Sequence, residues 1–517
     1  MHRTADNRAR LPVIAISAFA TFAAVASVAT TARAADVAIA SAADLSKLSG
    51  AVAPGTVFVL ADGSYNAPGN VSCTANGTEA SPIVVRAANP GKAKITFSAG
   101  TVEGFKVTGA HWHFEGLDVR GTCAADSSCE HAFHVTGGAT GFWLRQSKVA
   151  DFNAQLKVNA DKVNGVMTIP HKGLIEGNDL GDSRGRKTSN PVTKLNIDTG
   201  DDWIVRGNVI HDFFKDGGDT VSYGVFLKSG GNRGLSESNL VLCARDVPNG
   251  GARIGTSLGG GGTGNQFCAP AFDANVPCSI EHTDGVIRNN IIANCSDVAV
   301  YLNEAKNTKV LHNTMIGTAG VDFRFATTSG EARGNLYEGR IRGRDSGTFT
   351  DGGNKLVDTA FFAASYTSPL TGDLRLKAGP PAAAVDLAPA PGVPSDYCGR
   401  ARSDGKPDFG ALESSLGDCA TLQGGTGGTT PPADLDGGAP SGDGGTGTGS
   451  DGGTSSADGG GTGGTSGTGD DSGCAVGLGA GSASGSATLF ALFATVAGLV
   501  VGRRRRRNAS TKAPRSV

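Results

Sequence analysis

Seven stretches of the chain repeat one pattern of apolar and polar positions. They read "WLRQSKVADF", "LIEGNDLGDS", "IVRGNVIHDF", "LSESNLVLCA", "VIRNNIIANC", "VLHNTMIGTA" and "ARGNLYEGRI". Each has a short alternating strand, a small polar residue, then a second short strand. The polar residues are Ser147, Asn178, Asn208, Asn239, Asn290, Asn313 and Asn335, at successive spacings of 31, 30, 31, 51, 23 and 22. "HFEGLDVRG" fits one step earlier, with Leu117 in the polar slot. Strands with a period of two, recurring every coil without helical periodicity, predict an all-β fold: a single-stranded right-handed parallel β-helix. Equivalent side chains then stack about 4.8 Å apart along the solenoid. Asparagine suits a turn column because it tolerates left-handed backbone and its amide can bond the next coil. A β-sandwich or propeller would need hairpin turns and longer units. An N-terminal cap and the final "DYCGRARSDGKPDFGALE" segment are expected to cover the open ends, which would otherwise expose strand edges.

Column register turns the repeat into a map of one face. Leu227, Leu258 and Leu302 fall inward; Phe226, Lys228, Ser257, Gly259, Tyr301 and Asn303 fall outward. One coil on, "VDFRFA" buries Phe323 and Phe325 and leaves Asp322 and Arg324 outside. "GRIRGRD" puts Arg340, Arg342 and Arg344 at alternate positions, hence on one face. The glycines would leave a groove floor. The competing reading is that the arginines are solvated and paired to nearby carboxylates, and that Lys228 is one more polar surface residue.

The ends differ in composition. Residues 1–34 have a basic start at Arg3, Arg8 and Arg10, an alanine-rich apolar run and a small-residue cleavage site after Ala34, the pattern of a signal peptide. An uncleaved anchor is the alternative. Residues 35–420 form the β-helix domain. Residues 421–473 are nearly all Gly, Thr, Ser and Asp, too poor in apolar surface to order themselves, and read as a linker. Cys474 follows, then "ATLFALFATVAGLVVG" and Arg503 to Arg507. With the small residues before it, this run approaches the roughly 20 residues needed to cross a bilayer. The arginines would stay cytoplasmic, as would residues 508–517. This 474–507 tail resembles the C-terminal sorting signals of myxobacterial surface proteins, which implies processing or lipid attachment near Cys474. The expectation is export, with retention at a cell surface or release after processing.

Residues 35–420 carry 35 Lys+Arg against 40 Asp+Glu. That balance argues against a nucleic-acid partner, and a cationic strip on an acidic domain suits a long polyanion such as an acidic polysaccharide. Nine of the ten cysteines lie in this region, which would be exposed to an oxidising compartment. Proximity suggests Cys123–Cys129, Cys268–Cys278 and Cys398–Cys419, while Cys243–Cys295 would leave Cys73 free. No CxxC pair supports zinc. "NIDTGDDW" has paired aspartates like a polygalacturonase-type glycoside hydrolase, but Asp201 and Asp202 read more simply as a turn. Glu281, His282 and Asp284 fit no metal motif, and His211 and His312 sit beside the turn columns as structural residues.

"LSGAVAPGTVFVLADGSYN", "NGTEASPIVVRAANPGKAKITF" and "HFEGLDV" resemble the opening of polysaccharide lyase family 6, the chondroitinase B and alginate lyase family. The matching positions are Pro54-Gly55, Asp62-Gly63, Tyr65, Gly77-Thr78, Pro82-Ile83 and Gly91. The resemblance implies β-elimination on uronates, with a cation neutralising the carboxylate, a lysine removing the C5 proton and an arginine assisting the leaving oxygen. "FLKSGGNRGLSESN" is similar to the family's lysine segment, and Lys228 falls on the base. The family's calcium carboxylates belong where this chain has Val221 and Tyr223, so calcium is possible but its ligands are missing and no metal ligand is assigned. The family's arginine belongs at Gly259; Arg253 or Arg324 would have to serve. The expected site is therefore Lys228, Tyr301 and Arg324 in catalysis, with Asn303, Asp322, Arg253, Arg340, Arg342 and Arg344 binding substrate, in a chain acting as a monomer. A non-catalytic glycan-binding or adhesin-type β-helix is the rival expectation, and a glycoside hydrolase the third.

Overall fold

A computed structural model describes residues 36–419, apart from residues 249, 261–263, 383, 386–392 and 403–404. The expected signal segment with Ala34, the expected linker, the tail with Cys474 and residues 508–517 lie outside the described residues. Three parallel sheets of 12, 10 and 11 strands run the length of the domain, each taking every third main strand along the chain. That is a parallel β-helix, as the repeat predicts. Among the described residues no helix is long and apolar enough to cross a membrane.

The turn between the 12- and 11-stranded sheets is held by the expected column. Asn178 Nδ2 donates to Asn208 Oδ1 at 2.9 Å, and the same bond links Asn208 to Asn239, Asn239 to Asn290, Asn290 to Asn313 and Asn313 to Asn335. Asn354 closes the ladder, one rung beyond the repeat. Each Oδ1 also accepts a backbone N–H from the coil before, so Asn208 Oδ1 takes Asn178 N at 3.0 Å. The left-handed backbone belongs to the preceding residue instead: Gly177, Gly207, Ser238, Asn289 and His312 all have φ between 50° and 65°. The ladder asparagines are thus free to satisfy buried backbone groups, which would be costly to leave unpaired.

The interior is a single apolar column in which Phe58, Trp112, Phe114, Phe133 and Phe142 pack between coils. The four expected disulfides are present and Cys73 is a buried free thiol. The C-terminal segment departs from expectation. Rather than covering an open end, it runs back along the outside of the 11-stranded sheet. Phe362, Tyr366, Leu374, Ala411 and Leu412 bury against outward-facing Leu240, Leu242, Ile291, Ile316 and Leu336. Asn289 Nδ2 donates to Ser395 O at 2.6 Å and Ala411 N to Thr314 Oγ1 at 2.9 Å. The apolar outer face of that sheet gives the segment's own apolar side chains a surface to bury against.

His211 and His312 are structural, as expected. His211 sits between Asp179 at 2.7 Å and Asp212 at 2.8 Å. Burial would lower its pKa, but its bonds to the two carboxylates outweigh that and raise it. A raised histidine pKa stabilises the fold fully below about 6.5, the ordinary value, and the contribution disappears as pH climbs through the folded value. Denaturant midpoints should therefore fall between pH 6 and pH 9 in the parent chain, and less steeply in His211→Gln. An equal slope in both would show that His211 contributes nothing to the pH dependence.

Candidate functional site on the ten-stranded sheet

The outer face of the ten-stranded sheet carries the residues singled out by column register. Val221–Lys228 pairs with Val192–Asp198 on one side, setting Asp198 opposite Lys228, and with Ala252–Leu258 on the other, setting Phe226 opposite Ser257. Val300–Asn303 then puts Tyr301 opposite Ser257 and Asp322, and Asn303 opposite Arg324. The last strand puts Arg342 opposite Asp322 and Arg344 opposite Arg324. Leu227, Leu258, Leu302 and Phe323 are buried inward as expected. Phe325 is not: with φ at 71° it turns the corner, half-buried, under the Arg324 guanidinium. Gly259 is no groove floor either. Its φ is 79°, and a Cβ there would meet the Asn303 carbonyl oxygen at 1.9 Å, so strand contact requires the glycine.

Lys228 is not presented to open solvent. Its Nζ lies 2.7 Å from Asp198 Oδ1, and its side chain is 5% exposed. Lys157 pairs with the other Asp198 oxygen, and Ser229 Oγ donates to Oδ1 at 2.9 Å. Burial alone would raise the Asp198 carboxyl; the two lysine charges outweigh it and hold the group at about 2. Lys228 also lies 5.1 Å above the Phe226 ring. The insertion after Gly259 covers this triad. Phe267 stacks 5.2 Å from Lys157 Nζ, and a Cβ on Gly264 would fall 2.5 Å from Asp198 Oδ1 and 3.0 Å from Lys228 Nζ. The Cys268–Cys278 bridge closes this part of the insertion.

Tyr301 and Arg324 do converge. Arg324 Nη1 donates to Tyr301 Oη at 2.6 Å, Arg324 Nε donates to Asp345 at 2.6 Å, and Asn303 Nδ2 reaches Tyr301 Oη at 3.4 Å. Burial would lower the Arg324 pKa, but Tyr301 and Asp345 raise it above its ordinary value, so the charge is permanent. On one side Tyr301 meets Ile254, Val298, Val221 and Tyr223, an apolar wall on which Tyr223 stacks with Phe226 at 4.1 Å. On the other, Arg342 and Arg344 bond buried Asp322 at 2.5 and 2.6 Å. Arg340 is exposed. Arg324, Arg340, Arg342 and Arg344 gather at this end of the face, where Asp322 and Asp345 bind three of them and Asp297 lies close enough to act on Arg342.

Arg253 stands apart from this face. It is fully buried, its guanidinium spent on the carbonyls of Cys243, Val247, Pro248 and Gly250 and stacked 5.0 Å from Phe214. A guanidinium so occupied organises the start of the insertion and reaches no ligand. Asp322 is likewise buried, an anchor for two arginines rather than a contact of its own. Asp201 and Asp202 form the expected turn and both bind Arg233. Glu281 accepts from Ser229 N at 2.8 Å, and His282 is buried beside it. Asp198 and Lys157 escaped notice in the sequence. The signal that could have found Asp198 is its spacing of 30 from Lys228, the same as Asn178 to Asn208.

No family model matches the chain. Pectate lyase L of Dickeya chrysanthemi is 38% identical over 78 residues, which is 13% of this chain and 18% of that protein. The chain thus spans less than a fifth of that curated relative's length. Among solved structures, pectate lyase Pel9A aligns at 16% identity over 73% of this chain and 96% of its own, with a TM-score of 0.48. A rhamnogalacturonan lyase aligns at 14% over 62% and 88%, TM-score 0.43, and an alginate lyase from Paenibacillus sp. str. FPU-7 at 15% over 62% and 99%, TM-score 0.33. Likenesses this distant assign no role to any residue of the site.

Proposed function

We propose that the domain is a polysaccharide lyase acting on an acidic, uronate-containing chain by β-elimination at Tyr301 and Arg324. The observation that carries this reading is the 2.6 Å bond from Arg324 to Tyr301 Oη, set between an apolar wall and a cationic one. Apolar surface suits the C–H face of a sugar ring, and guanidiniums suit a carboxylate. With Arg324, Arg342 or Arg344 neutralising the uronate carboxylate, the C5 proton becomes more acidic. Acting as the phenolate that faces the Arg324 guanidinium, Tyr301 Oη takes that proton and becomes the phenol, the C4–C5 double bond forms, and the C4–O bond breaks as the phenol returns the proton to the departing oxygen. In this reading Lys228 acts at a distance: with Lys157 and Asp198 it holds the insertion over the face beside Tyr301. Export by residues 1–34 and retention at a surface through residues 474–507 belong to the same proposal, since a polymer of that size is met outside the cell. The chain would act as a monomer.

Burial and ion pairing of Lys228 favour a second reading, a surface module that binds acidic glycan without turning it over. The two separate in one assay. The chain is incubated with alginate, pectate, chondroitin and dermatan, with and without calcium, while ultraviolet absorbance reports unsaturated uronate ends. Growth on at least one polymer is expected. No growth on any, with one of them retained in a binding assay, would replace the lyase with the binding module.

A further inference from the structure

The other end of the same face holds a cluster that neither reading uses. Glu103, His131 and His134 each offer a ligand atom, all within 4.8 Å of one another, and their side chains are 13 to 17% exposed. His131 and His134 lie on the strand His131–Thr136, with Ala132 and Phe133 between them buried in the core, and their rings stand 4.8 Å apart.

The hydrogen bonds fix which nitrogen of His134 carries a proton. Asn159 Nδ2 donates to the Ala160 carbonyl at 3.0 Å, so the amide oxygen is the atom facing His134 Nε2 at 2.8 Å. That oxygen can only accept; Nε2 therefore bears hydrogen. Nδ1 faces Glu103 Oε2 from 2.5 Å. Two electron pairs at that separation repel unless a proton or a cation lies between them. His131 Nδ1 is buried without a hydrogen-bond partner and faces the other Glu103 oxygen at 3.6 Å. Ligands of one zinc ion, each about 2.0–2.2 Å from the metal, stand about 3.3–3.6 Å apart; the contacts from Glu103, 2.5 Å to His134 and 3.6 Å to His131, bracket that spacing.

We propose that Glu103, His131 and His134 bind a divalent transition metal of the zinc class, with Asn159 as the outer partner that orients His134. Two imidazoles and one carboxylate are the donor set of such ions, whereas calcium takes oxygen ligands. A carboxylate or amide oxygen beyond a metal-bound histidine fixes its tautomer in this way. Three protein ligands leave a coordination position for water or an anionic ligand. Lys106, 3.3 Å from Glu103, is half exposed and can swing aside when the ion enters. His134 pairs in register with Lys157, so the ion would sit on the column that continues through Asn196 and Phe226.

The test uses the full chain, stripped with a chelator and titrated with cobalt(II) as a visible probe. One cobalt per chain, with d–d absorption abolished by one equivalent of zinc, is the expected result. Glu103→Gln, which preserves shape, and His134→Gln should each weaken binding more than tenfold, and Asn159→Ala by about tenfold. His171→Ala, at a half-buried histidine outside the cluster, should bind like the parent. Zinc should also raise the melting temperature of the parent but not that of Glu103→Gln, while calcium raises neither. Absence of cobalt binding by the parent would overturn the proposal and make the cluster an imidazolium–carboxylate pair. Binding unchanged in both Glu103→Gln and His134→Gln would overturn it too.

Discussion

Asp198→Asn is expected to lose about 3–5 kcal/mol of folding stability, the range for breaking a buried ion pair from one side. Asp198 is 1% exposed and sits between Lys157 and Lys228, themselves 13% and 5% exposed. The asparagine keeps the shape but leaves two ammonium groups facing each other in a space covered by Phe267 and Gly264. Denaturant midpoints measure the loss. Replacing both lysines by methionine in the Asp198→Asn background should recover much of it, because the penalty lies in uncompensated charge. The native carboxyl at about 2 lies below its ordinary value near 3.8. A depressed carboxyl contributes stability that is present above its unfolded pKa and lost as pH falls through its folded one. The parent chain should therefore weaken between pH 4 and pH 2, and Asp198→Asn should weaken less over that interval.

Asn239→Ala should cost a comparable amount, about 3–5 kcal/mol, from several groups stranded at once. Asn239 Oδ1 accepts from Asn208 N at 3.1 Å and Asn208 Nδ2 at 2.9 Å; its Nδ2 donates to Val205 O at 2.9 Å and Asn290 Oδ1 at 3.0 Å. Each buried group left unpaired costs about 1–3 kcal/mol, and none can reach water, since Asn208, Asn239 and Asn290 are at most 1% exposed. Asn354→Ala, at the last rung, should cost less than half as much because its neighbourhood is part-exposed. Equal losses at the two rungs would mean that burial does not set the cost.

The contrast between these two residues shows what the chain spells out and what it does not. The ladder was legible because every coil repeats the demand: one buried turn, one side chain with both donor and acceptor, at spacings that differ only by loop length. Leu227, Leu258 and Leu302 followed from the same register, and so did the facing of Tyr301, Asn303 and Arg324. Asp198 was not legible, because its role comes from two lysines on neighbouring coils and from a loop folded over them. Arg253 misled for the opposite reason. An arginine in a strand beside a groove reads as a ligand contact, yet the insertion wraps its carbonyls around the guanidinium. The C-terminal segment went to the side of the solenoid because the outer positions of the 11-stranded sheet, Leu240, Leu242, Ile291 and Ile316, are apolar. Strand alternation alone does not distinguish an outer apolar face from an inner one.

That placement leaves the ten-stranded face uncovered by the C-terminal segment, with Glu103, His131 and His134 toward one end and Tyr301 with Arg324 toward the other. In the proposed reaction Tyr301, rather than Lys228, carries the proton. The most direct measurement compares Tyr301→Phe with Lys228→Ala on the polymer that the parent chain cleaves, by the rate of unsaturated uronate formation. Lys228→Ala leaves Asp198 paired with Lys157, so the fold should survive and the rate stay within a few-fold of the parent. Tyr301→Phe keeps the ring and its apolar contacts, and should lose about 10²- to 10⁴-fold, the range for removing a proton-transfer group. The opposite ranking, with Lys228→Ala inactive and Tyr301→Phe near parental rate, would make Lys228 the base and contradict the account.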